Sequence, residues 1–427
     1  MISFAPWMWQ PEADGELVMT DAGGVGVASQ GEVRSRERWV NGLVGAGHLL
    51  SHYYIFALPP LFPLLKAEFG VSYVELGLAM TAYNLLGGVL QAPVGFMVDR
   101  LGPTRVLLAG LGLTAGAVML MGFTESYPML LLLALIAGLG NSVFHPADYA
   151  ILAGSIGPER LGRAFSLHTF LGYLGSAIAP VCMLALAQWA DWRMALAISG
   201  AVGLIVLAVM AARRGVMQGE SVKPAAANAS QAEKTGLAVV LSPVILMFLV
   251  YFVLFAMGSS GLTSFTVSAL INLHDLRLDQ ANAALTGHLF GMAGGILLTG
   301  FIADRFPRHL VTATGALVLA ASMLVLAATG DLSAWQAITA MTIAGVGMGG
   351  VLPVRDLMIR AVTPLGQTGK VFGFVFVGYA IGSSTAPVFN GWFMDSGDPA
   401  MVFWAAAGFV VAALGVLTIA RRMGPAT

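Results

Sequence analysis

Long runs of apolar residues recur along most of the chain, and short polar connections separate them. A helix of about 20 mainly apolar residues crosses the roughly 30 Å hydrocarbon core of a bilayer, and each run is about that long. The pattern therefore predicts an all-α membrane protein with twelve transmembrane helices. Placed to within about 4 residues at each end, the predicted crossings are 39–64, 73–98, 104–123, 128–154, 163–187, 191–212, 241–270, 280–302, 309–330, 333–359, 370–393 and 399–420.

The composition narrows the class of protein further. Hydrophobic residues make up 57% of the 427 residues and charged residues 10%, whereas soluble domains carry about 25% charged residues. This excludes a water-soluble enzyme. The 21 basic and 22 acidic side chains give a net charge of -1, so no basic excess is present that would attract nucleic acid.

The polar segments divide the chain into domains. Residues 1–38 are acidic and lack the basic start and apolar run of a cleaved signal peptide, so they are expected to remain as a flexible tail. The longest internal polar segment, 213–236, separates six predicted crossings from six and is expected to be a linker. The predicted domains are thus an N-terminal tail 1–38, a six-helix bundle 39–212, the linker 213–236, a second bundle 237–420 and a C-terminal tail 421–427.

Basic residues are distributed unevenly between the two sides of the predicted bundle. Of the 21 Lys and Arg residues, 17 lie on the side of the two termini, three on the opposite side and one within a crossing. Cytoplasmic connections of membrane proteins are enriched in Lys and Arg. Both termini, the linker 213–236 and the tails are therefore expected in the cytoplasm, and the protein in the cell inner membrane.

The two halves share short motifs in the same order. The sequence Gly95-Phe-Met-Val-Asp99-Arg100 returns as Gly300-Phe-Ile-Ala-Asp304-Arg305, an offset of 304 − 99 = 205. Gly138 and Gly140 with Pro146 return as Gly345 and Gly347 with Pro353, an offset of 207. Such repeats predict two pseudo-symmetric bundles that rock around a site near the middle of the bilayer.

The stretch from Gly95 through Asp99 and Arg100 to Gly102 and Arg105 resembles the loop signature of the major facilitator superfamily. Its repeat at Asp304 and Arg305 lies where that family has it. The resemblance implies the major facilitator fold. It also implies a conformational latch in which Gly95, Asp99, Arg100 and Arg105, and more weakly Asp304 and Arg305, hold the halves together on the cytoplasmic side. Pro103 and Thr104 depart from the family pattern, and the simpler reading is that these charges only mark a cytoplasmic turn.

A narrower resemblance rests on Gly47-His48, on Leu58-Pro59-Pro60-Leu61-Phe62-Pro63 and on the stretch from Gly138 to His145-Pro146. These motifs resemble the fosmidomycin resistance protein group, which implies a proton-driven efflux carrier. That group has Glu directly after His-Pro, whereas Ala147 and then Asp148 follow here. On a helix this rotates the carboxylate by about 100°, so the drug is not carried over.

Ionisable residues within the predicted crossings are few, and such residues usually face a cavity and have a function. His48 and His52 share one face of the first crossing, and Asn141, His145 and Asp148 form a stripe on the fourth. At an offset of 207, Asp148 corresponds to Arg355, with Asp356 beside it. We hypothesise that Asp148, with His145, faces Arg355 across a central cavity and that the histidines relay protons.

For the other polar residues in the crossings, the sequence supports only less specific expectations. The isolated histidines His168 and His288 are expected to make structural hydrogen bonds between helices. Some of a larger polar set should line the substrate path: Tyr53, Tyr54, Tyr83, Asn84, Gln91, Tyr173, Ser259, Ser260, Thr263, Ser264, Tyr379 and Asn390.

These observations predict a proton-coupled secondary active transporter, an antiporter that exports a small organic molecule by alternating access. The expected partners are a small-molecule substrate, protons and membrane lipid, without nucleic acid. No nucleophile stands beside a base, so no enzyme is expected. The glycine-rich stretch 366–370 lacks the Ser or Thr of a phosphate loop, so ATP is not expected to drive transport. No cofactor is expected, and without a cysteine cluster or a second acidic pair no bound metal is expected either. Three alternatives stay open: a proton symporter for an organic anion, a metal transporter, and a membrane sensor that does not transport.

Overall fold

The structure is a computed structural model that describes residues 16–19, 25–217, 238–306, 308–364 and 367–423. Two short strands, β1 Glu16–Met19 and β2 Val25–Ala28, pair antiparallel ahead of the first helix. The first half continues with α1 Gln30–Ile55, α2 Phe62–Phe69, α3 Tyr73–Val89, α4 Gln91–Leu101, α5 Pro103–Met121, α6 Tyr127–Asn141, α7 Phe144–Ser155, α8 Pro158–Trp189 and α9 Trp192–Ala212. The second half contains α10 Pro243–His274, α11 Leu278–Arg305, α12 His309–Thr329, α13 Ala334–Val362, α14 Thr368–Asp395 and α15 Ala400–Arg422.

Ten segments of the described chain are long and apolar enough to cross a membrane, the broken helix pair α6 and α7 counting as one. The two other predicted crossings correspond to α1 and to the pair α3 and α4. Helix α1 has 26 residues but carries polar side chains such as Asn41, His48 and His52 along its length. Helices α3 and α4 are separate at Leu90 and are individually short, with 17 and 11 residues. The prediction of a helical membrane protein is confirmed, and the ten segments are consistent with the predicted twelve crossings.

The first helix begins earlier than hydropathy predicts. Helix α1 starts at Gln30, inside the segment 1–38 that was expected to be a tail. Ser29 Oγ accepts a hydrogen bond from the Glu32 N–H, and the Glu32 carboxylate accepts one from the Ser29 N–H. This capping box satisfies the donors of the first turn, so the helix continues beyond the apolar segment that hydropathy detects.

The predicted linker 213–236 lies mostly outside the described residues. Its first part, the 3-10 helix Arg214–Met217, packs against the N-terminal bundle. Thr104 Oγ donates a hydrogen bond to the Met217 carbonyl and Arg36 Nε donates one to the Val216 carbonyl. The chain is therefore anchored to the first bundle where it leaves α9.

Glycines confirm the duplication through equivalent contacts. Gly138 of α6 lies directly on the backbone of Tyr83 in α3, and Gly345 of α13 lies on the backbone of His288 in α11. The two contacting pairs are related by the same offsets of 207 and 205 that relate the sequence motifs. A side chain at either glycine would push the helices apart, so the repeated glycines conserve the same close helix approach in both bundles.

The two bundles meet closely at the side of the molecule opposite the chain termini. The backbone N–H groups of Tyr73 and Val74, the first two residues of α3, each donate a 2.8 Å hydrogen bond to the carboxylate of Asp395 at the end of α14. Deeper along the same pair of helices, the Asn84 side-chain amide donates to the Ser383 carbonyl at 3.0 Å. The bonds from Tyr73 and Val74 satisfy helix-terminal donors that α3 itself leaves unpaired. All three bonds join residues of opposite bundles.

A buried carboxylate ties α1 to α8 near the terminal side. Glu37 is 6% exposed and accepts hydrogen bonds from Arg160 Nε at 2.6 Å and from the Gly157 N–H at 2.9 Å. We expect Glu37→Gln to destabilise the N-terminal bundle by about 1–2 kcal/mol, because a charge-assisted bond becomes neutral beside a partly exposed arginine. A lower thermal midpoint of the purified protein checks this. Glu125→Gln, at an exposed site between α5 and α6, serves as the control, and equal midpoints for the two variants would contradict the expectation.

Candidate functional site

A group of ionisable side chains lies inside the N-terminal bundle. We define the histidine–aspartate cluster as His48 and His52 of α1, His145 and Asp148 of α7, and His168 of α8. Asp148, His48 and His168 are 0%, 2% and 3% exposed. Because an uncompensated charge inside a membrane protein is costly, ionisable groups at these positions need partners among one another.

Asp148 is the centre of the cluster. Its Oδ2 atom lies 3.0 Å from His168 Nε2 and 3.2 Å from His48 Nδ1. The rings of His48 and His168 stack with centroids 3.6 Å apart, so they reach the same oxygen from neighbouring helices. The other carboxylate oxygen, Oδ1, has no hydrogen-bond partner within the described protein. One oxygen is thus shared by two imidazoles, and the other remains available to accept.

The remaining two histidines extend the cluster. The ring of His52 is centred 4.7 Å from that of His48, and the ring of His145 is centred 5.2 Å from it. His52 Nδ1 lies 3.3 Å from the Ser176 hydroxyl. Gly172 makes this packing possible, since a Cβ at that position would lie 2.7 Å from His48 Nε2. The expected proximity of His48 to His52 and of His145 to Asp148 is therefore present.

Local chain geometry explains how Asp148 reaches the histidines. Helix α6 ends at Asn141 and α7 begins at Phe144, so the fourth predicted crossing is broken just before the aspartate. Pro146 in the first turn of α7 lacks an N–H and fits this helix start. Asn141 lies on the other side of the break, where its side chain packs beside Gly87 of α3. The predicted stripe of Asn141, His145 and Asp148 is thereby interrupted, and only the latter two belong to the cluster.

His168 is the member of the cluster that the sequence did not place there. It was expected to be an isolated structural histidine, but it makes the shortest contact to Asp148. The sequence shows only that His168 lies in a membrane helix. The rotation of α8 relative to α7, which brings His168 to Asp148, is not visible in the sequence. His288 behaves as expected: its Nδ1 lies 3.2 Å from the Met341 carbonyl.

By distance alone, the cluster also offers ligand atoms for a metal. One ligand atom from each of His48, Asp148 and His168 lies within 4.8 Å of the others. Imidazole nitrogen and carboxylate oxygen are donors that divalent transition metals accept. In the structure His168 Nε2 and His48 Nδ1 both lie against Asp148 Oδ2, at hydrogen-bond and ion-pair distance respectively, so these three ligand atoms contact one another directly.

Arg355 lies in the C-terminal bundle, and its contacts are with residues of that bundle. It is 6% exposed, and its Nε donates a 2.9 Å hydrogen bond to Asp356, the next residue of α13. Its guanidinium carbon lies 4.3 Å from the centre of the Phe252 ring. The direct pairing of Asp148 with Arg355 is not present, because each is paired within its own bundle. Both are buried inside protein rather than exposed to lipid.

Tyrosines connect the cluster with Arg355. The ring of Tyr149 is centred 6.1 Å from that of His145, and the ring of Tyr173 is centred 6.3 Å from that of His52. From the other side, Tyr149 interacts electrostatically with Asp356 and Tyr173 with Arg355. Tyr149 and Asp356 are both more than 40% exposed. Side chains of the two bundles are therefore within electrostatic range of each other at partly exposed positions, and we call the space between Tyr149 and Asp356 the cleft.

The predicted latch is not engaged in this structure. Asp99, Arg100 and Arg105 are exposed and make no ion pair within the described residues. Asp99 and Gly95 line a cavity of about 310 Å³ together with Pro146 of α7.

In the second repeat, the Arg305 guanidinium carbon lies 3.7 Å from the centre of the Phe301 ring of its own helix, and the side chain of Asp304 lies outside the description. With α3 and α14 in contact at the far side, the described geometry corresponds to a form closed opposite the termini.

Known proteins share both the sequence and the fold. The Major Facilitator Superfamily profile matches residues 44–278 and 261–426. The fosmidomycin resistance protein of Escherichia coli K12 is 26% identical over 294 residues, which cover 67% of this chain and 70% of the relative. The multidrug resistance protein MdtH of Salmonella arizonae is 24% identical over 350 residues, covering 79% and 82%.

A solved structure extends the match over nearly the whole fold. The crystal structure of a bacterial homologue of the human lysosomal transporter Spinster, inward-facing and occupied, superimposes with a TM-score of 0.75 at 17% identity. The match covers 92% of this chain and 98% of that one. The predicted resemblance is confirmed by the profile, which spans both bundles: the chain is a multi-pass membrane transporter that belongs to the major facilitator superfamily.

Proposed function

We propose that the protein is a proton-coupled secondary active transporter of the cell inner membrane, which exports a small organic molecule in exchange for protons. The observation that carries this proposal is the histidine–aspartate cluster, in which Asp148 Oδ2 is shared by His48 and His168. Histidine changes charge near neutral pH and a carboxylate can accept the same proton. A buried group of this kind can take up and release a proton with little rearrangement.

In this proposal, transport occurs by alternating access, in which the two bundles open to one side of the membrane at a time. The terminal side carries 17 of the 21 basic residues, so we assign it to the cytoplasm by the positive-inside rule. The cleft between Tyr149 and Asp356 then opens to the cytoplasm, and the contact of α3 with α14 closes the outer side. Rocking of the bundles exposes the cluster to each side in turn.

Export is supported by the names of the relatives, two of which are resistance proteins. Uptake of an organic anion with protons is the second candidate, and the buried Arg355 favours it, since that residue can pair with a negative substrate. The two candidates differ in the sign of the coupling between substrate binding and proton binding. Substrate and proton compete in antiport, whereas each favours the binding of the other in symport.

The test uses proteoliposomes with an acidic lumen and an internal pH-sensitive dye, with fosmidomycin and sulfoacetate as first probes. Antiport predicts that an external probe raises the luminal pH as protons leave, whereas symport predicts no rise. Liposomes that contain the Asp148→Asn variant provide the background. Substrate movement without any proton movement would contradict the proposal. A response to Zn²⁺ in place of the organic probes would favour metal transport.

Asp395 gives a separate prediction for the outer closure. Asp395→Ala removes the acceptor for the N–H groups of Tyr73 and Val74, so we expect the closed outer side to lose about 1–2 kcal/mol, the usual worth of a helix cap. Spin labels at Glu125 and Asp331, in a chain whose single cysteine Cys182 is replaced by Ser, should report a larger population of long distances. Asp398→Ala, on the same connection, is the control. Identical distance distributions for the two variants would remove Asp395 from the closure.

A further inference from the structure

We infer that Arg355, with the hydroxyl groups of Tyr251 and Tyr173, binds the substrate, and that this substrate is a small organic oxyanion such as a carboxylate, sulfonate or phosphonate. The inference rests on the proposed function insofar as the bound ligand is the molecule transported. It concerns the class of ligand and holds for export and for uptake alike.

Arg355 has N–H donors beyond the one that it uses with Asp356. A guanidinium carries five N–H groups in a planar fork that matches an oxyanion. Within the described residues, the hydrogen bond found for this side chain leaves from Nε and ends on Asp356. The two terminal amino groups contribute the other edge of the fork, and the Tyr251 hydroxyl lies close enough to the guanidinium to interact with it. This edge can donate two parallel bonds to one oxyanion.

The aromatic surroundings hold the guanidinium in place without neutralising it. Its central carbon lies 4.3 Å from the Phe252 ring centre and 6.0 Å from that of Phe255. The faces of aromatic rings attract cations but leave the N–H edges of the fork unoccupied. Asp356 is 44% exposed, so solvent screens the one carboxylate that accompanies Arg355. A buried cation with partly unused donors is therefore presented to the cleft.

Tyrosine hydroxyls surround the same position. Tyr251 is fully buried in α10 and lies close enough to Arg355 to interact with it, and its O–H finds no acceptor within the described protein. Tyr173 of the N-terminal bundle and Tyr379 of α14 also interact electrostatically with Arg355. A buried hydroxyl without a partner is costly, and an oxyanion on Arg355 would supply an acceptor.

The position of Tyr173 gives the ligand a role in the transport cycle. Arg355 and Tyr251 belong to the C-terminal bundle, whereas Tyr173 belongs to the N-terminal bundle and lies beside His52 of the cluster. A ligand that contacts both bundles binds one arrangement of them better than another and thereby shifts their population. The anion site and the histidine–aspartate cluster are separate in residues but adjacent through this tyrosine.

The experiment measures direct binding to purified protein in detergent by isothermal titration calorimetry. The probes are benzoate, sulfoacetate, methylphosphonate and fosmidomycin, with benzamide as the neutral match of benzoate. We expect at least one oxyanion to bind the unaltered chain and benzamide to bind at least about 10-fold more weakly. Arg355→Gln should weaken oxyanion binding by about 10- to 100-fold, the range for a charge-assisted hydrogen bond.

A second variant keeps the test valid should Arg355→Gln fail to fold. Tyr251→Phe removes only a hydroxyl whose O–H has no acceptor within the described residues, so folding should persist, and we expect oxyanion binding to weaken by about 2- to 10-fold. Tyr127→Phe, at a hydroxyl that contacts the Glu75 carbonyl far from Arg355, should leave binding unchanged.

Three results would overturn the inference: no oxyanion binds the unaltered chain, benzamide binds as well as benzoate, or Tyr251→Phe and a folded Arg355→Gln bind like the parent. Failure of the proposed function looks different, because Arg355-dependent binding would then be present while proteoliposomes show no proton movement. Conversely, proton-coupled transport of a neutral or cationic probe that persists in Arg355→Gln contradicts the inference alone.

Discussion

Asp148→Asn is expected to abolish proton-driven transport while leaving the protein folded. Asn has the shape of Asp and can still contact His168 and His48, which lie 3.0 and 3.2 Å from Asp148 Oδ2. It cannot take up or release a proton, so the cluster loses its central acceptor. Since proton transfer groups contribute about 100- to 10,000-fold to the processes they serve, initial rates driven by a pH gradient should fall at least about 100-fold. The measurement is substrate flux into proteoliposomes under an imposed gradient.

The same variant separates coupling from binding. Exchange of labelled for unlabelled substrate at equal pH on both sides requires alternating access but no net proton movement, so Asp148→Asn should retain it. His288→Gln is the matched control, because His288 is an equally buried membrane histidine whose recorded contact is a backbone carbonyl outside the cluster. Undiminished gradient-driven flux in Asp148→Asn would exclude this residue from coupling. A loss of both flux and exchange would indicate a damaged fold or binding site instead.

Gly77→Ala is expected to prevent full closure of the outer side. Gly77 of α3 packs directly on the backbone of α14, and a Cβ there would lie 2.7 Å from the Pro387 carbonyl carbon and 3.1 Å from the Val388 nitrogen. Neither atom belongs to a flexible side chain, so the helices must separate. Overpacking of this kind costs about 1–3 kcal/mol, which corresponds to a population shift of about 5- to 150-fold away from the outer-closed form.

Spin-label distances between Glu125 and Asp331 report this shift directly. We expect longer distances in Gly77→Ala and a slower transport cycle, since the form closed on the outer side becomes less populated. Gly116→Ala is the control, because a Cβ at Gly116 meets no atom within 4 Å. If the distance distribution of Gly77→Ala equals that of the control, the close approach of α3 and α14 does not determine the closed state.

The main features of the fold could be predicted from the sequence because they depend on local properties. Apolar runs about 20 residues long show where helices lie, whatever their neighbours are. The offsets of 205 and 207 similarly showed the duplication, and the Gly138–Tyr83 and Gly345–His288 contacts later confirmed it. Hydropathy missed the start of α1 because that start depends on the Ser29–Glu32 capping box rather than on apolarity, and it gave no signal of the α3–α4 break at Leu90, where no side chain caps a helix end.

The site could be predicted only in part. His48 with His52 and His145 with Asp148 were found because residues three or four apart share a helix face. His168 was not placed beside Asp148, and the contacts of Arg355 with Asp356 and Phe252 were not foreseen, because the rotation of one helix against another is set by packing contacts such as Gly172 against His48. Spacing within one helix contains no information about that rotation.

The sequence by itself determined that the chain is a duplicated bundle of membrane helices with a few ionisable groups inside it, since length, apolarity and repetition act along one dimension. The tertiary structure alone decided which groups meet: two histidines on one oxygen of Asp148, tyrosines between that cluster and Arg355, and Asp395 on the helix start at Tyr73, 322 residues away. The physical reason is that these bonds depend on the tilt, rotation and close approach of whole helices, which side chains from both bundles settle together.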